Sequence, residues 1–595
     1  MSNNNSYKSV LGYNWRQKPI DERHALTIHQ KHGCSQILSR LLAHKNIALE
    51  EVEIFLNPTI RALLPDPFTL LDMDIAAAKI ISAVKNKGKI VIFGDYDVDG
   101  ATSSALLKRF LAMIGANAQI YIPDRILEGY GPNAAALLKL KEQGADLLIT
   151  VDCGTVAFAP LEAAHQAGLE IIVIDHHLGA LEKPKAIAII NPNRLDENFA
   201  DKNLAAVGVC FLLCVAINKL LREENFYEQN KLSEPQLLSL LDLVALGTVC
   251  DVVPLIGINR ALVAQGLKLL KTRQNIGLRA VCDIANLDEE PNSYHLGFIL
   301  GPRINAGGRV GEAHLGADLL SNNDEEKVKS IAAKLDSYNK QRKIIEETVL
   351  QEAIAQIEKN KIYLNEIIIA FSPNWHPGVI GIVASRIKEL YEKPTIIIAI
   401  KDDIGKASCR SIVGIDLGGA IVGARLNGIL IDGGGHKMAA GFTIEKNKIS
   451  ALQKFLNEEL GNEVARLNQG KSREFADILD ITSANLNLAK EINSLEPFGS
   501  GNAKPKFMIK DLLIIKSDLI GADKSHISCL FSSKNLNLWQ GKLKAVAFGA
   551  AKNALGDVLM AKNKSETINA IGQININNWM GNENVQLVIE DLVKG

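Results

Sequence analysis

The chain has 595 residues, 47% of them hydrophobic and 22% charged, with a formal net charge of −1. That composition is the ordinary soluble globular one, and the length calls for three or four domains. Near-neutral charge excludes nucleic-acid binding through bulk charge, so any such partner must meet a local basic groove. The eight cysteines include no CxxC pair, and Cys210 and Cys214 sit one helical turn apart in an apolar stretch. They predict reduced, buried thiols in a cytosolic protein. Met1-Ser2-Asn3-Asn4-Asn5-Ser6 lacks the basic and apolar parts of a secretion signal. The apolar run Leu204 to Ile217 is too short to span a bilayer and predicts a buried helix. A cytoplasmic protein with no membrane contact is expected.

In chain order, a helical pattern from about Ser35 to Ile60 is broken by Pro65-Asp66-Pro67. From Lys89 to about Asn193, strands and helices alternate, the pattern of a doubly wound parallel sheet. Helical segments follow, ending in Gly247-Thr248-Val249-Cys250-Asp251-Val252-Val253-Pro254. Asn323-Asp324-Glu325-Glu326 is a helix start, and the charged periodic stretch beyond it reaches about Lys361. Uninterrupted, that helix would be on the order of 50 Å long and would link two domains. A second α/β unit contains the strands Glu366–Phe371 and Thr395–Ala399 around a helix at Val379–Tyr391. The last portion is strand-rich and predicts a small β-barrel. The expected divisions are a helical segment over 1–75, an α/β domain over 76–322, a linking helix over 323–361, a second α/β domain over 362–465 and a barrel over 466–595.

Three apolar strands of the first α/β unit each run into metal-binding side chains. Lys89–Phe93 leads to Gly94-Asp95-Tyr96-Asp97-Val98-Asp99-Gly100, Leu147–Val151 to Asp152-Cys153-Gly154, and Ile171–Ile174 to Asp175-His176-His177. Ligands gather beyond the carboxyl ends of the strands in such sheets, so these groups should converge. A pocket with that many carboxylates needs cations to neutralise it. Asp95, Asp97 and Asp99 alternate, and an extended backbone would turn them to one side. With Asp152 bridging and His176 and Asp251 completing the shell, they suit two divalent ions roughly 3.5–4 Å apart. Hard oxygens with one imidazole favour Mn²⁺ or Mg²⁺. Cys153 and Cys250 adjoin two of the aspartates, which gives zinc a lesser claim; packing is the preferred reading. Taken singly, the DxDxDG could be a loop turn or calcium site, and Asp251 a helix cap. No acid lies between Ser104 and Leu111, so an EF-hand loop is excluded.

Asp97-x-Asp99, Asp152, Asp175-His176-His177 and Asp251 resemble the four motifs of the DHH phosphoesterase superfamily. Gly94–Thr102, Leu246–Leu255 and Leu300–Arg309 narrow the likeness to its single-stranded-DNA-specific exonucleases, from about Ile54 to the C-terminus. Many members carry a histidine four residues before the first Asp of the DxD pair; here it is Phe93. Asp95 or water would compensate. The resemblance implies a DHH domain, a DHHA1 domain and an OB-like barrel, with Asp97, Asp99, Asp152, His176, His177 and Asp251 as catalytic residues. It also implies that His177 contacts the scissile phosphate.

Ile122-Pro123-Asp124-Arg125 and Glu128-Gly129-Tyr130-Gly131 offer a cation and a ring. Arg125 suits a terminal phosphate, and Tyr130 could stack on a base; a surface ion pair and a half-buried tyrosine are the plainer alternatives. Arg303, Asn305 and Arg309 lie in a glycine-rich segment fit for a phosphate path, or for a structural turn. Gly433-Gly434-Gly435-His436, read as preceding a helix, could bind an anion. The resemblance implies that Ser408 and Arg410 join Arg125 on the 5′-terminal phosphate. Trp375-His376-Pro377-Gly378 is read as structural or groove-lining. Lys504, Lys506 and Lys524 are barrel candidates, with plain surface lysines as the alternative.

The expectation is a metal-dependent 5′→3′ exonuclease of single-stranded DNA in repair and recombination, working as a monomer beside a helicase and a single-strand-binding protein. A superfamily member for smaller substrates, a metal-free scaffold and a plain single-strand binder are the competing readings. The linking helix and barrel oppose the first, the intact carboxylate and imidazole set opposes the second, and the third predicts binding unaffected by chelation and no released mononucleotides.

Overall fold

The computed structural model describes residues 7–125, 128–129, 131–468, 471–533, 541–561, 566–579 and 582–594. These form two compact units: Leu63–Arg466 with Gly499–Gly501, and Met1–Ala62 with Leu467–Phe498 and Asn502–Gly595.

The first unit begins around a five-stranded parallel sheet. Ile90–Gly94 (β1) is followed by the helix Val98–Met113 (α1), then by Ala118–Tyr121 (β2), Leu147–Val151 (β3), Glu170–Ile174 (β4) and Ala188–Ile190 (β5). The order is β2-β1-β3-β4-β5, with every pair parallel. All residues of β1, β3 and β5 are buried, as expected for apolar strands covered on both faces. Register is what matters for the site: Gly94 lies opposite Val151, and Val151 opposite Ile174. Three strands therefore end level, and the next residue of each is an aspartate: Asp95, Asp152 and Asp175. The strand order reverses beside β1, where such sheets bind ligands.

Leu241–Cys250 (α2) packs on α1 and ends at Asp251. The linking helix Glu325–Lys359 (α3) has 35 residues, about 50 Å at the usual rise. Asp324 caps it, accepting from the N–H groups of Glu326 and Lys327. Beyond α3 come Ile368–Ser372 (β6), Ile380–Tyr391 (α4), Thr395–Lys401 (β7), Ile404–Arg410 (β8), Asp432–His436 (β9) and Ala439–Glu445 (β10). They form a sheet of order β9-β10-β8-β7-β6 in which only β6 and β7 are parallel.

The glycine run does not precede a helix. Gly433–Gly435 lie within β9, which turns through Lys437 and Met438 into β10. Close approach explains two of the three glycines: a Cβ on Gly433 would come within 2.7 Å of Phe442, and one on Gly435 within 2.5 Å of Ala440, whereas one on Gly434 would meet nothing within 4 Å.

In the other unit, strands Phe507–Ile520, His526–Ser533, Leu543–Ala547, Asn582–Lys594 and Ile568–Trp579 pair in succession, and the last pairs back with the first. Helices Glu22–His32, Gln36–His44 and Val52–Leu56, expected to form a segment of their own, share this unit's core: Ile28, Leu42 and Val52 cluster with Phe507, Leu512 and Phe531. Helices this short cannot bury an apolar stripe alone.

Candidate metal centre

The level strand ends deliver the cluster. Ligand atoms of Asp95, Asp97 and Asp152 lie within 4.8 Å of one another, as do those of Asp99, His176 and Asp251, and those of Asp152, His176 and His177. Nε2 of His176 stands 3.4 Å from Asp152 and 3.5 Å from Asp251. Every residue expected to ligate metal is thus brought together. Asp152 and His176 each belong to two of the three sets, which places them between two sub-sites.

The expectation that an extended backbone turns three aspartates to one side does not hold. Asp97 caps α1, accepting from the N–H of Gly100, and Asp99 lies in the first helical turn. The strand-to-helix turn divides the three, with Asp95 and Asp97 on one sub-site and Asp99 on the other. Gly100 makes the turn possible, because a Cβ there would collide with the Asp95 backbone. Asp99 also accepts the N–H groups of Ala206 at 2.7 Å and Val207 at 3.0 Å, at the start of the helix Ala206–Glu223. Asp152 has a φ of 61°, left-handed for a non-glycine residue.

Electrostatics follow from burial and crowding. Burial, then Asp97, pushes Asp95 and Asp152 well above the usual carboxylate range. Asp99 is pushed up to about 7 by burial and Asp97, and Asp251 to about 9 by burial and Asp99. Burial and the charge of His177 lower His176 to about 4, leaving a neutral imidazole. Oδ1 of Asp95, Nε2 of His176 and Oδ2 of Asp251 are buried with no hydrogen bond. Oxygen-rich donors that repel one another, with buried atoms unsatisfied by protein, fit two hard divalent cations. The cysteines do not join them: the Cys153 thiol turns to the Val151 carbonyl and Cys250 to that of Leu296. Phe93 is buried and stacks on Tyr121 at 5.3 Å.

Asp175, at the head of the Asp-His-His motif, anchors both histidines. Its carboxylate accepts the N–H groups of Thr155, His176 and His177, and the Nδ1 of His177 at 2.7 Å. Burial opposes charge on His177, but Asp175 outweighs it and raises the imidazole to about 9. Asn191 and Asn193, just beyond β5, donate to the backbone carbonyls of His177 and His176. The strand-end rule that found the other groups applies equally to them.

A second group lies where the two α/β domains of this unit meet. Arg125 sits 5.0 Å from the Tyr96 ring centre. Burial, then Arg125 and Arg342, lowers Arg309 to about 10, and burial with Arg125 also lowers Arg410. Arg309 donates to the Gly378 carbonyl, and Arg410 to Ser408 Oγ at 3.3 Å. A Cβ on Gly381, in the first turn of α4, would come within 3.0 Å of Ser408 and 3.2 Å of Arg410. Arg125, Arg309, Arg410 and Ser408 thus gather beside a helix N-terminus, a setting that favours an anion.

Other candidates fare differently. The Arg303 guanidinium is taken up by Asp336 at 2.9 Å and the Ile299 carbonyl at 2.7 Å, which makes it a brace to α3. Asn305 is half-buried between two short helices, and Gly434, Gly435 and His436 lie on β9, with His436 exposed. Tyr130 lies outside the described residues. Lys506 pairs with Glu590, Lys504 lies over the Phe498 ring, and Lys524 is exposed.

Fold and site together define a DHH-type protein. The model of the DHH family, N-terminal domain, matches residues 89–248, that of the DHHA1 domain 364–462, and that of the RecJ OB domain 477–591. A single-stranded-DNA-specific exonuclease RecJ of Bacillus subtilis is 32% identical, over 97% of this chain and 70% of its own. One from Escherichia coli is 37% identical over 71% of this chain and 74% of its own. The crystal structure of Thermus thermophilus RecJ with Mn²⁺ superposes with a TM-score of 0.78 at 27% identity, covering 98% of this chain and 79% of that one. Its Mg²⁺ complex gives 0.74. The chain belongs to the RecJ family.

Proposed function

We infer that this protein is a metal-dependent exonuclease that hydrolyses single-stranded DNA from its 5′ end to nucleotides. The observation that carries the reading is the chain of three ligand sets, linked through Asp152 and His176, with an arginine group in the same unit. Asp95, Asp97 and Asp152 would hold one ion, and Asp99, Asp152, His176 and Asp251 the other. Bound there, two divalent ions supply an activated water and neutralise charge on the phosphate. Arg125, Arg309, Ser408 and Arg410 would grip the 5′-phosphate and set the distance to the first linkage. With Nδ1 committed to Asp175, contact from His177 to a phosphate oxygen falls to Nε2, on a ring charged at neutral pH. Repair and recombination are the setting, with a helicase and a single-strand-binding protein as partners and a monomer as the working form. No helix of the described residues is long and apolar enough to cross a membrane.

The test is digestion of single strands labelled at each end in turn, with Mn²⁺, Mg²⁺ or chelator. Mononucleotides released first from the 5′ end, only with metal, are expected. Release first from the 3′ end, or with chelator, would overturn the reading.

A further inference from the structure

The segment from Tyr294 to Arg309 runs beside residues that adjoin the metal centre. Its π-helical turn His295–Leu300 and the short helix after it pack on the end of α2: the Cys250 thiol donates to the Leu296 carbonyl, and Gly301 abuts Cys250, next to Asp251. Further on, a Cβ at Gly308 would come within 2.7 Å of the Tyr96 carbonyl, between Asp95 and Asp97. One end of the segment is Arg309, in the arginine group. The other end carries an exposed pair of rings.

Phe298 is 71% exposed and Tyr294 59% exposed, and their rings stack at 5.1 Å and 21°. Beyond Asp251, Val252 is 67% exposed and has a φ of 63°, a strained setting for a β-branched residue. Such strain presents an apolar side chain to solvent beside a proposed ligand. No core claims these residues, and two large stacked rings are costly to leave in water.

We propose that Tyr294 and Phe298, with Val252, form a stacking platform for nucleobases on the 3′ side of the scissile phosphate. The proposal rests on the exonuclease reading and adds the path of the strand. A 5′-phosphate held at the Arg309 end leaves the rest of the strand to run past Tyr96 and Cys250 towards the rings. Unpaired bases offer two open π faces, which a paired duplex does not, so the platform favours single strands whatever their sequence. The wide turn of a π-helix is a common device at functional sites.

The full-length Mn²⁺-loaded protein tests this on 5′-phosphorylated thymidylate strands of roughly twenty nucleotides and on the dinucleotide. Phe298→Ala and Tyr294→Ala should each raise KM on the long strand roughly ten-fold, the order expected for one stacked base, with kcat little changed. The dinucleotide, too short to reach the rings, should lose less than two-fold. Phe298→Trp should restore the long-strand KM, and Phe298→Leu, which stays apolar, should not. Removing the bases beyond the second nucleotide should raise the KM of the unaltered protein and leave that of Phe298→Ala unmoved. A normal long-strand KM in both alanine variants would overturn the proposal, as would equal sensitivity to base removal in variant and unaltered protein. No cleavage of either substrate by the unaltered protein would instead refute the exonuclease reading and take the platform with it.

Discussion

The Nε2 atom of His176 stands 3.4 Å from Oδ1 of Asp152, too far for a hydrogen bond and near enough to share a cation. Asp152 is buried and the His176 side chain only 12% exposed, and each belongs to two of the three ligand sets. Asp152 joins the Asp95 and Asp97 set to the His176 and His177 set, which makes it the test of the proposed two-ion site. Asp152→Asn keeps the shape and removes the charge. Turnover of single strands should fall by at least about a thousand-fold, while binding, measured by anisotropy with Mg²⁺, stays within a few-fold. Turnover near normal in this variant would remove Asp152 from the chemistry.

Metal should stabilise the fold as well as support catalysis. The carboxylates of Asp95, Asp99, Asp152 and Asp251 repel one another, and bound cations relieve that repulsion only in the folded state. At a hundred times Kd, one ion adds about 2.7 kcal/mol. A thermal melt with Mn²⁺ should therefore lie several degrees above one with chelator, and Asp152→Asn should lose most of that gap. An equal gap in both proteins would place the stabilising metal elsewhere.

Asp175 acts through His177 and is predicted to be a positioning residue. Asp175→Asn keeps one acceptor oxygen where the carboxylate uses two, Oδ2 for Thr155 and Oδ1 for His176 and His177, and it removes the charge behind the 2.7 Å contact to Nδ1. A loss in kcat of about ten- to a hundred-fold, with KM nearly constant, is the expected result. A change in KM alone would assign the residue to binding.

The strand-and-motif part of the site was legible in the sequence because it rests on a local rule. An apolar strand ends, and the next residue stands at the mouth of the sheet. The rule located Asp95, Asp152, Asp175 and His176 without coordinates, and it applied to Asn191 and Asn193 unused. It could not tell how Asp97 and Asp99 divide, because that depends on a helix starting at Val98, within the stretch read as extended. Glycines misled for a similar reason. Gly433 and Gly435 serve the close approach of two strands, and only the β10 partner makes that visible. The Arg303 guanidinium meets Asp336, 33 positions away, a pairing that local spacing does not reveal.

Gly247 tests packing close to the ligands. A Cβ there would collide with the Thr102 hydroxyl and come within 2.7 Å of Val207 and 3.0 Å of Asp99. Gly247→Ala has to displace at least one of them, at a cost of about 1–3 kcal/mol for an overpacked core. A lower melting temperature and weaker Mn²⁺ dependence should appear together. A lower melting temperature with unchanged metal affinity would show that Asp99 does not move.

Arg410 should set the preference for a phosphorylated end. Its guanidinium lies within reach of Ser408 and the first turn of α4, and burial with Arg125 opposes its charge, so an anion there relieves a standing repulsion. Arg410→Ala should lower kcat/KM on 5′-phosphorylated strands about ten- to a hundred-fold, the range for one charged hydrogen-bonding contact. On 5′-hydroxyl strands the change should be small. Identical losses on both would mean that Arg410 braces the fold and does not read the end.

Asp242 provides a pH test away from the cluster. It is buried near the start of α2, and burial raises its carboxyl from 3.8 to about 6. The folded protein therefore holds a proton that the unfolded chain has released between those values, and stability falls as pH rises through that window. Above pH 6 the full penalty applies, about 3 kcal/mol at 1.36 kcal/mol per pH unit. Asp242→Asn removes the charge, so its melting temperature should exceed that of the unaltered protein at pH 7 and converge with it towards pH 4. A variant less stable at pH 7 would show that the carboxylate is satisfied in its ionised form.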